Sequence, residues 1–541
     1  MEEVKKTIRD SAAIRWIVLI LISGLTFGTY WFQDFFSGIK PLMITEMGIT
    51  SSQFGTLIQW TTWANVFGMI IIGGIILDNW GIKRTGIVFG LLATLGAALT
   101  AMGAAGVFSQ ETSSQMWVMM IGRLLFGSGL EVVCVIAMRT IVKWFKGYEL
   151  ALAMAINMGF GRLGSTLGQA LSIDIGHGVV SPSVNFAATL IAIGLLMFLI
   201  YIIFDVKLDK QQKGNIEEGV DEKFRFSDLV KLITNRSFLL IALLCVTFYS
   251  AVFPFMQYAP DLLINKFNFS YDLPQGAAVV LFGSEALGNL AVFLGLFIFA
   301  LAITLVPSNI KSKKNKIISV AIIISLFVVF IYSLSGTFAE WLKNGPKTAS
   351  LIPLGSILFT PIFGNIVDKK GKAASLMIVG ALLLIFAHLA LSVFDSRLLG
   401  YLGLLSLGIA FSLVPAAMWP SVSKIVAENR LGTAYATMFT IQNWGLNAFF
   451  KGIGWVLDKA NPAIVQQLED TRKSLEAQGM SNLEISEAIQ KMQLITHEIP
   501  PFNYTTPILM LVGLGVLAII LAFMLKQADK KQGFGLEMPS T

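Results

Sequence analysis

Residues 123–169 read RLLFGSGLEVVCVIAMRTIVKWFKGYELALAMAINMGFGRLGSTLGQ. Two apolar segments flank a short basic turn. Each carries one ionisable residue far from its ends, Glu131 in the first and Arg162 in the second. A charge in mid-span costs at least roughly 2.5–3.5 kcal/mol on insertion scales, so it needs a partner, a water-filled cavity or a substrate. Two readings stay open at this point. The residues grip a molecule that carries both signs, or they neutralise each other as a structural ion pair between helices.

The rest of the chain extends the same pattern. Of 541 residues, 55% are hydrophobic and only 13% charged, against roughly 25% charged in soluble domains. This is the composition of an all-α polytopic membrane protein. The net charge of +7 would suggest nucleic acid in a soluble chain. Here the bases lie in short loops between apolar runs, which is the positive-inside pattern, and no nucleic-acid partner is expected. Cys134 and Cys245 both lie inside apolar segments and read as free thiols. His177, His388 and His497 are scattered. Neither a metal site nor a cofactor is expected, and no nucleotide-binding loop or nucleophile constellation is present, so the chain does not read as an enzyme. The first apolar run is too long for a signal-peptide core and reads as a retained span.

Apolar runs of about 20 residues mark spans. They fall near 14–36, 55–77, 84–108, 116–140, 149–174 and 183–205, then near 237–263, 285–307, 316–340, 348–367, 373–394, 398–426, 432–457 and 505–527. That is fourteen spans in three parts: a six-helix half over 1–206, a polar linker over 207–236 and a second half over 237–541. With the N-terminus in the cytoplasm, 28 of the 40 Lys and Arg residues fall inside, nine outside and three within spans. The excess favours both termini inside.

A signal repeats between the halves. GIILDNWGIKR carries Gly74, Asp78, Gly81, Lys83 and Arg84, and GNIVDKKGK carries Gly364, Asp368, Gly371 and Lys372. The first Gly is expected to let helices approach closely, and the Asp to bond a neighbouring helix N-terminus. With Arg123, Gly127 and Gly129 of RLLFGSG, these turns resemble the major facilitator superfamily. The resemblance implies two six-helix bundles with a substrate cavity between them, and a gating or structural role for Asp78, Lys83, Arg84, Asp368, Lys372 and Arg123. That superfamily has twelve spans, so the extra pair is assigned to an inserted hairpin at about 285–340, joined by NIKSKKNK and expected to face lipid. The outer segment at about 458–504 is a second addition. Two helix-like pieces flank Gly479 there, and Ser481 with Glu484 forms a capping box.

The segments FGSGLEVV, VKWFKGYELALAMAINMGFGRLGS, YSAVFPF and GTAYATMFTIQNWGL resemble the lysosomal dipeptide-transporter branch of that superfamily. The resemblance implies that Glu131 meets a peptide amino-terminus and Arg162 its carboxylate. Counted along their spans, Glu131 lies about 12 Å and Arg162 about 20 Å from the inner helix ends. Tyr30, Gln59, Trp60, Tyr249, Trp419, Gln442 and Asn443 are further candidate cavity residues. Packing is the competing role for the aromatics, and helix-to-helix hydrogen bonding for the amides. The expected function is transport of dipeptides or similar small zwitterions by alternating access. An organic-anion or drug carrier, with Glu131 carrying protons, is the rival, and a membrane receptor or scaffold is the alternative from another class. Proton coupling stays open. The expected partners are a small-molecule substrate and the lipid bilayer. A monomer is expected, with room for an accessory membrane subunit. With no obvious lysosomal sorting tail, the cell membrane is favoured over the lysosomal one.

Overall fold

The computed structural model describes residues 7–212, 226–274, 276–427 and 430–539. Among these, eleven helical segments are long and apolar enough to cross a membrane. The first is bent: α1 (Ala12–Asp34) runs through Phe35 into α2 (Phe36–Met47), which contains Pro41. The first span is therefore longer than its apolar run suggests, and its last turns carry Lys40. The next span is interrupted. It comprises α3 (Ser51–Gln59), a 3-10 turn over Trp60–Thr62, α4 (Trp63–Val66), and the start of α5 (Met69–Ala104) after Gly68 at φ 82°. Within α5, Gly81 is non-helical at φ 72° and reverses the chain, so one continuous assignment covers two arms. Helices α6 (Thr112–Phe145), α7 (Leu150–Gly176) and α8 (Val180–Gln212) complete the N-terminal half.

Of the expected 207–236 linker, α8 takes the first residues, α9 (Phe226–Thr234) lies near the end, and residues 213–225 lie outside the described residues. The C-terminal half then runs through α10 (Arg236–Phe267), the hairpin α11 (Glu285–Ser308) and α12 (Lys313–Ser333), and the short α13 (Ser335–Trp341) and α14 (Gly345–Ala349). It continues with α15 (Leu351–Lys370), α16 (Ala373–Ser392), α17 (Arg397–Ile425) and α18 (Leu431–Ala460). The capping segment α19 (Pro462–Ala477) and α20 (Asn482–Leu494) precedes the last helix, α21 (Thr505–Gln532). Helices α7 and α18 are long enough to span but are not among the eleven.

Both described chain ends lie on one face, here the tail side. The backbone N–H of Ile8 bonds Gln211 at the end of α8, and the carbonyl of Glu537 accepts from Lys372 at the start of α16. The opposite face, the cap side, carries α19 and α20. The halves are joined mainly there. One hydrophobic cluster runs through both halves and takes in Phe35, Phe36 and Leu42. A separate cluster, including Val18, Ile141, Trp144 and Leu208, belongs to the tail side of the N-terminal half.

The repeated turns are built differently from expectation. A Cβ at Gly74 or Gly364 would meet nothing within 4 Å, so neither glycine is needed for close helix packing in this conformation. Asp78 does not cap a helix; it pairs with Arg139 of α6 at 2.7 Å. Lys83 reaches Asp209, which also pairs with Lys143 at 2.7 Å, while Arg84 is exposed. In the second turn, Asp368 sits in the last turn of α15, and Lys372 (φ 61°) caps α16. The chain's own tail covers that turn: Glu537 accepts from the Ser375 backbone N–H at 2.9 Å and from its hydroxyl at 2.6 Å. Gly127 does have a steric reason, since a Cβ there would lie 1.8 Å from the carbonyl oxygen of Thr61 in the interrupted span.

Candidate functional site

Helix α6 ends at Phe145 and α7 begins at Leu150. Glu131 is thus 14 residues from the tail-side end of its helix and Arg162 12 residues from its own, or about 21 and 18 Å. The two stand at nearly one height; the expected difference arose because the apolar run of α6 stops short of the helix. Both are half-buried, and no ion pair joins them. Each faces the other half of the protein instead. Asn443 of α18 is the polar neighbour of Glu131. The Arg162 guanidinium carbon lies 4.4 Å from the ring centroid of Phe411 on α17, a distance at which cation–π attraction operates.

Tyr30 of α1 stands close enough to feel both charges, and its hydroxyl lies 4.0 Å from the thiol of Cys134, one turn along from Glu131. One turn beyond Tyr30 is buried Asp34. It accepts a hydrogen bond from Gln257 of α10 at 2.8 Å and lies within electrostatic reach of Arg162 and Arg123. Arg123 is fully buried. It donates to the carbonyl of Phe32 at 3.0 Å and to the Gln33 side chain at 3.3 Å, fixing the bend between α1 and α2.

The facing wall is aromatic and amide. Trp419 of α17 donates through Nε1 to the hydroxyl of Tyr249 on α10 at 2.9 Å. Tyr249 stacks on Phe253 at 5.3 Å, and Phe253 meets Phe411 edge-on at 5.5 Å. Trp419 also stacks on Phe439 at 4.8 Å. Gln442, beside Asn443 on α18, accepts from the Cys245 thiol at 3.3 Å. Tyr30, Glu131, Arg162, Tyr249, Trp419, Gln442 and Asn443 are therefore gathered about the seam between the halves. Gln59 and Trp60 are not in that group. Gln59 donates to Asn447 of α18 at 2.9 Å, and Trp60 meets Trp117 edge-on at 5.8 Å.

A second set of polar groups joins the halves on the cap side. The ammonium of Lys40, fully buried, bonds the carboxylate of Asp261 and the hydroxyl of Tyr504, and Tyr504 also bonds Asp261. Asp458, near the end of α18, accepts from the backbone N–H groups of Ser51 at 3.2 Å and Ser52 at 2.7 Å, at the start of α3. An anion is favoured at that helix end. Lys347 pairs with Asp174 of α7 at 3.0 Å, and Asn289 of the hairpin donates to the same carboxylate at 3.0 Å. Arg472 of α19 caps the end of α2 by donating to the carbonyls of Thr45 (2.9 Å) and Glu46 (3.0 Å). Outside the spans, the capping box of Ser481 and Glu484 is formed, and the Ser481 backbone N–H holds the Glu484 carboxyl below its ordinary range.

The profile described as Major Facilitator Superfamily matches residues 22–345, more than half of the chain. The chain belongs to the major facilitator superfamily. It is a membrane transporter by family, not an enzyme. The lysosomal dipeptide transporter MFSD1 of Danio rerio is 26% identical over 456 residues, covering 82% of this chain and 81% of the relative. The protein of that name from Homo sapiens is 26% identical over 464 residues, with 82% and 80% covered. Among solved structures, a bacterial homologue of the human lysosomal transporter Spinster, inward-facing and occupied, superposes with a TM-score of 0.57 at 12% identity, covering 96% of this chain and 98% of that one. That likeness bears on the fold alone. In this superfamily protein Glu131, Arg162 and Tyr30 of the candidate site come from the N-terminal half, and Tyr249, Trp419, Gln442 and Asn443 from the C-terminal half.

Proposed function

We propose that the chain carries dipeptides or similar small zwitterions by alternating access, with Glu131 holding the substrate ammonium and Arg162 its carboxylate. The observation that carries this reading is the pair's arrangement: opposite charges at nearly one height, both half-buried, with no ion pair between them. A carboxylate suits an ammonium, and a guanidinium takes a carboxylate bidentately. Tyr30 flanks the pair, while Tyr249, Trp419, Gln442 and Asn443 supply a facing wall of rings and amides. Gln59, bonded to Asn447 of the other half, serves the cap-side closure, whereas Trp60 packs on Trp117 within its own half. The name of the MFSD1 relatives, lysosomal dipeptide transporter, supports the substrate class.

The conformation is read as closed on the cap side and open on the tail side. Counting both arms of α5 together with α7 and α18 gives fourteen spans. We assign the tail side to the cytoplasm, a reading its excess of bases supports, and propose that the protein works in the cell membrane as a monomer and without a cofactor. The lysosomal localisation named for the relatives is the alternative that fractionation decides. Labelling of cysteines in the 311–316 turn only from outside would reverse the topology. Uptake into liposomes with and without an imposed pH gradient decides proton coupling.

The site is tested with a free dipeptide, its N-acetyl form, its C-terminal amide and the doubly blocked form. Glu131→Gln is expected to weaken peptides with a free amino-terminus and to spare N-acetylated ones. Arg162→Lys is expected to weaken peptides with a free carboxylate and to spare the amides. Each lost charged hydrogen bond is worth roughly 1.5–3 kcal/mol, or about ten- to hundredfold in affinity. Equal losses across all four peptides would reject the clamp.

A further inference from the structure

The inserted hairpin is not a loose addition. Helix α11 packs against α7 of one half and α15 of the other. Gly159 and Phe160 of α7 meet Phe297 of α11, and the Phe160 and Phe297 rings stand 5.9 Å apart. On the cap side, buried Asn289 is tied to Asp174. Helix α12 is different: it has no buried residue, and its outward surface is a run of Ile, Leu, Val and Phe. Such a surface is covered by acyl chains.

The turn between these helices lies on the tail side and carries Lys311, Lys313, Lys314 and Lys316, all exposed. No Asp or Glu occurs between Glu285 and Glu340. Four positive charges within six residues therefore sit at the rim of a helix pair whose outer member packs on α11 through Phe327 and Phe330 and turns its remaining apolar surface outward, and the one carboxylate of the two helices, Glu285, lies at the opposite, cap-side end of α11. The complementary partner at that depth is a phosphate fixed at the membrane surface. Charge clusters of this size beside a span attract anionic headgroups by roughly fivefold per lysine.

We propose that the 311–316 turn binds the headgroup of an anionic phospholipid and so anchors the strut that α11 forms across the seam between α7 and α15. The site goes beyond the substrate reading and does not depend on it.

The test uses the full chain in nanodiscs of phosphatidylcholine doped with photoactivatable phosphatidylglycerol, with cross-links mapped by mass spectrometry. Labelling is expected at 311–316 in excess of another basic tail-side turn, that of Lys369, Lys370 and Lys372. Millimolar inorganic phosphate should not compete, because a free ion lacks the acyl anchor. Replacing all four lysines by Gln should cut labelling at this turn by about tenfold or more, while replacing all four by Arg should keep it. The Arg form also covers the case in which the Gln form fails to insert, since wild type and Arg form together still decide the outcome. Equal labelling at 369–372, loss of labelling in the Arg form, or competition by free phosphate would overturn the proposal.

Discussion

The Lys40–Asp261 contact offers the sharpest test of how the cap side closes. Both side chains are almost wholly buried, and they come from opposite halves. Opening the cap side exposes them to water, so the cost of leaving one unpaired falls on the closed state alone. Breaking a buried pair by removing one partner typically costs about 3–5 kcal/mol. The surroundings rank the two changes. In Lys40→Met, Asp261 keeps the Tyr504 hydroxyl and the Asn265 amide, which donates at 2.9 Å. In Asp261→Leu, Lys40 keeps only the Tyr504 hydroxyl and the rings of Phe54, Tyr258, Phe502 and Tyr504, at 5.4–6.0 Å. Lys40→Met should therefore fall near 3 kcal/mol and Asp261→Leu near 5. These correspond to shifts of roughly a hundredfold and a few thousandfold toward the cap-open state. Joining Lys40→Met with Asp261→Leu should restore much of the closed population, because an apolar pair needs no partner. Spin labels at exposed Ser113 and Ser396, one on the cap side of each half, read the distance distribution. Additive effects in the double mutant, or an unchanged distribution in both single mutants, would refute the gate.

Three further outcomes are expected. Gly127→Val should destabilise the protein by about 1–3 kcal/mol or more through overpacking against Thr61, seen as a lowered melting temperature, whereas Gly74→Ala should leave it unchanged. Asp78→Asn breaks a half-exposed pair with Arg139 worth only about 0.2–1 kcal/mol, so it should slow transport while leaving dipeptide affinity intact; unchanged transport with a large binding loss would contradict that. Because the Glu484 carboxyl is held low in the fold, its contribution to the start of α20 is present above the ordinary carboxylate range and lost as pH falls through the lowered value. Hydrogen exchange over 481–490 should therefore accelerate only in acid, and Glu484→Gln should flatten that pH response.

The sequence disclosed the spans because a 20-residue apolar run is a strong signal, and disclosed Glu131 and Arg162 because a charge inside such a run stands out. It hid whatever depended on two distant residues meeting. Lys40 follows the first apolar run and counts as an outer-loop base by position, yet the helix continues to Met47 and buries it against Asp261. The break at residues 60–68 is likewise absent from the hydropathy pattern. It follows from Gly68 and from the close approach of Gly127. Nothing in the pattern of the 458–504 segment singles out Arg472; only the fold brings it to the end of α2. The hairpin was legible as an insertion, but the seating of α11 against both halves was not, since Asn289 is one polar residue in an otherwise uniform apolar run.

The site and the cap-side gate share two helices, and this argues that they work as one device. On α10, Tyr249, Phe253, Gln257 and Asp261 recur every four residues and so lie along one face. On the first span, Tyr30 and Asp34 are likewise four apart, and the bend at Phe35 redirects the chain to Lys40. The two stripes meet at two rungs, where Asp34 bonds Gln257 at 2.8 Å and Lys40 bonds Asp261. Beyond them Tyr30 lies near both Glu131 and Arg162, and Tyr249 near Arg162. Every polar rung is buried or nearly so, and a buried polar group left without its partner is costly. The rungs are thus expected to hold or release together. On the proposed reading, a substrate carboxylate held by Arg162 would stand beside the Asp34 carboxyl, at the middle rung. Occupancy of the site would then bear directly on the rung next to the Lys40–Asp261 contact, with no need for a separate relay through the rest of the fold.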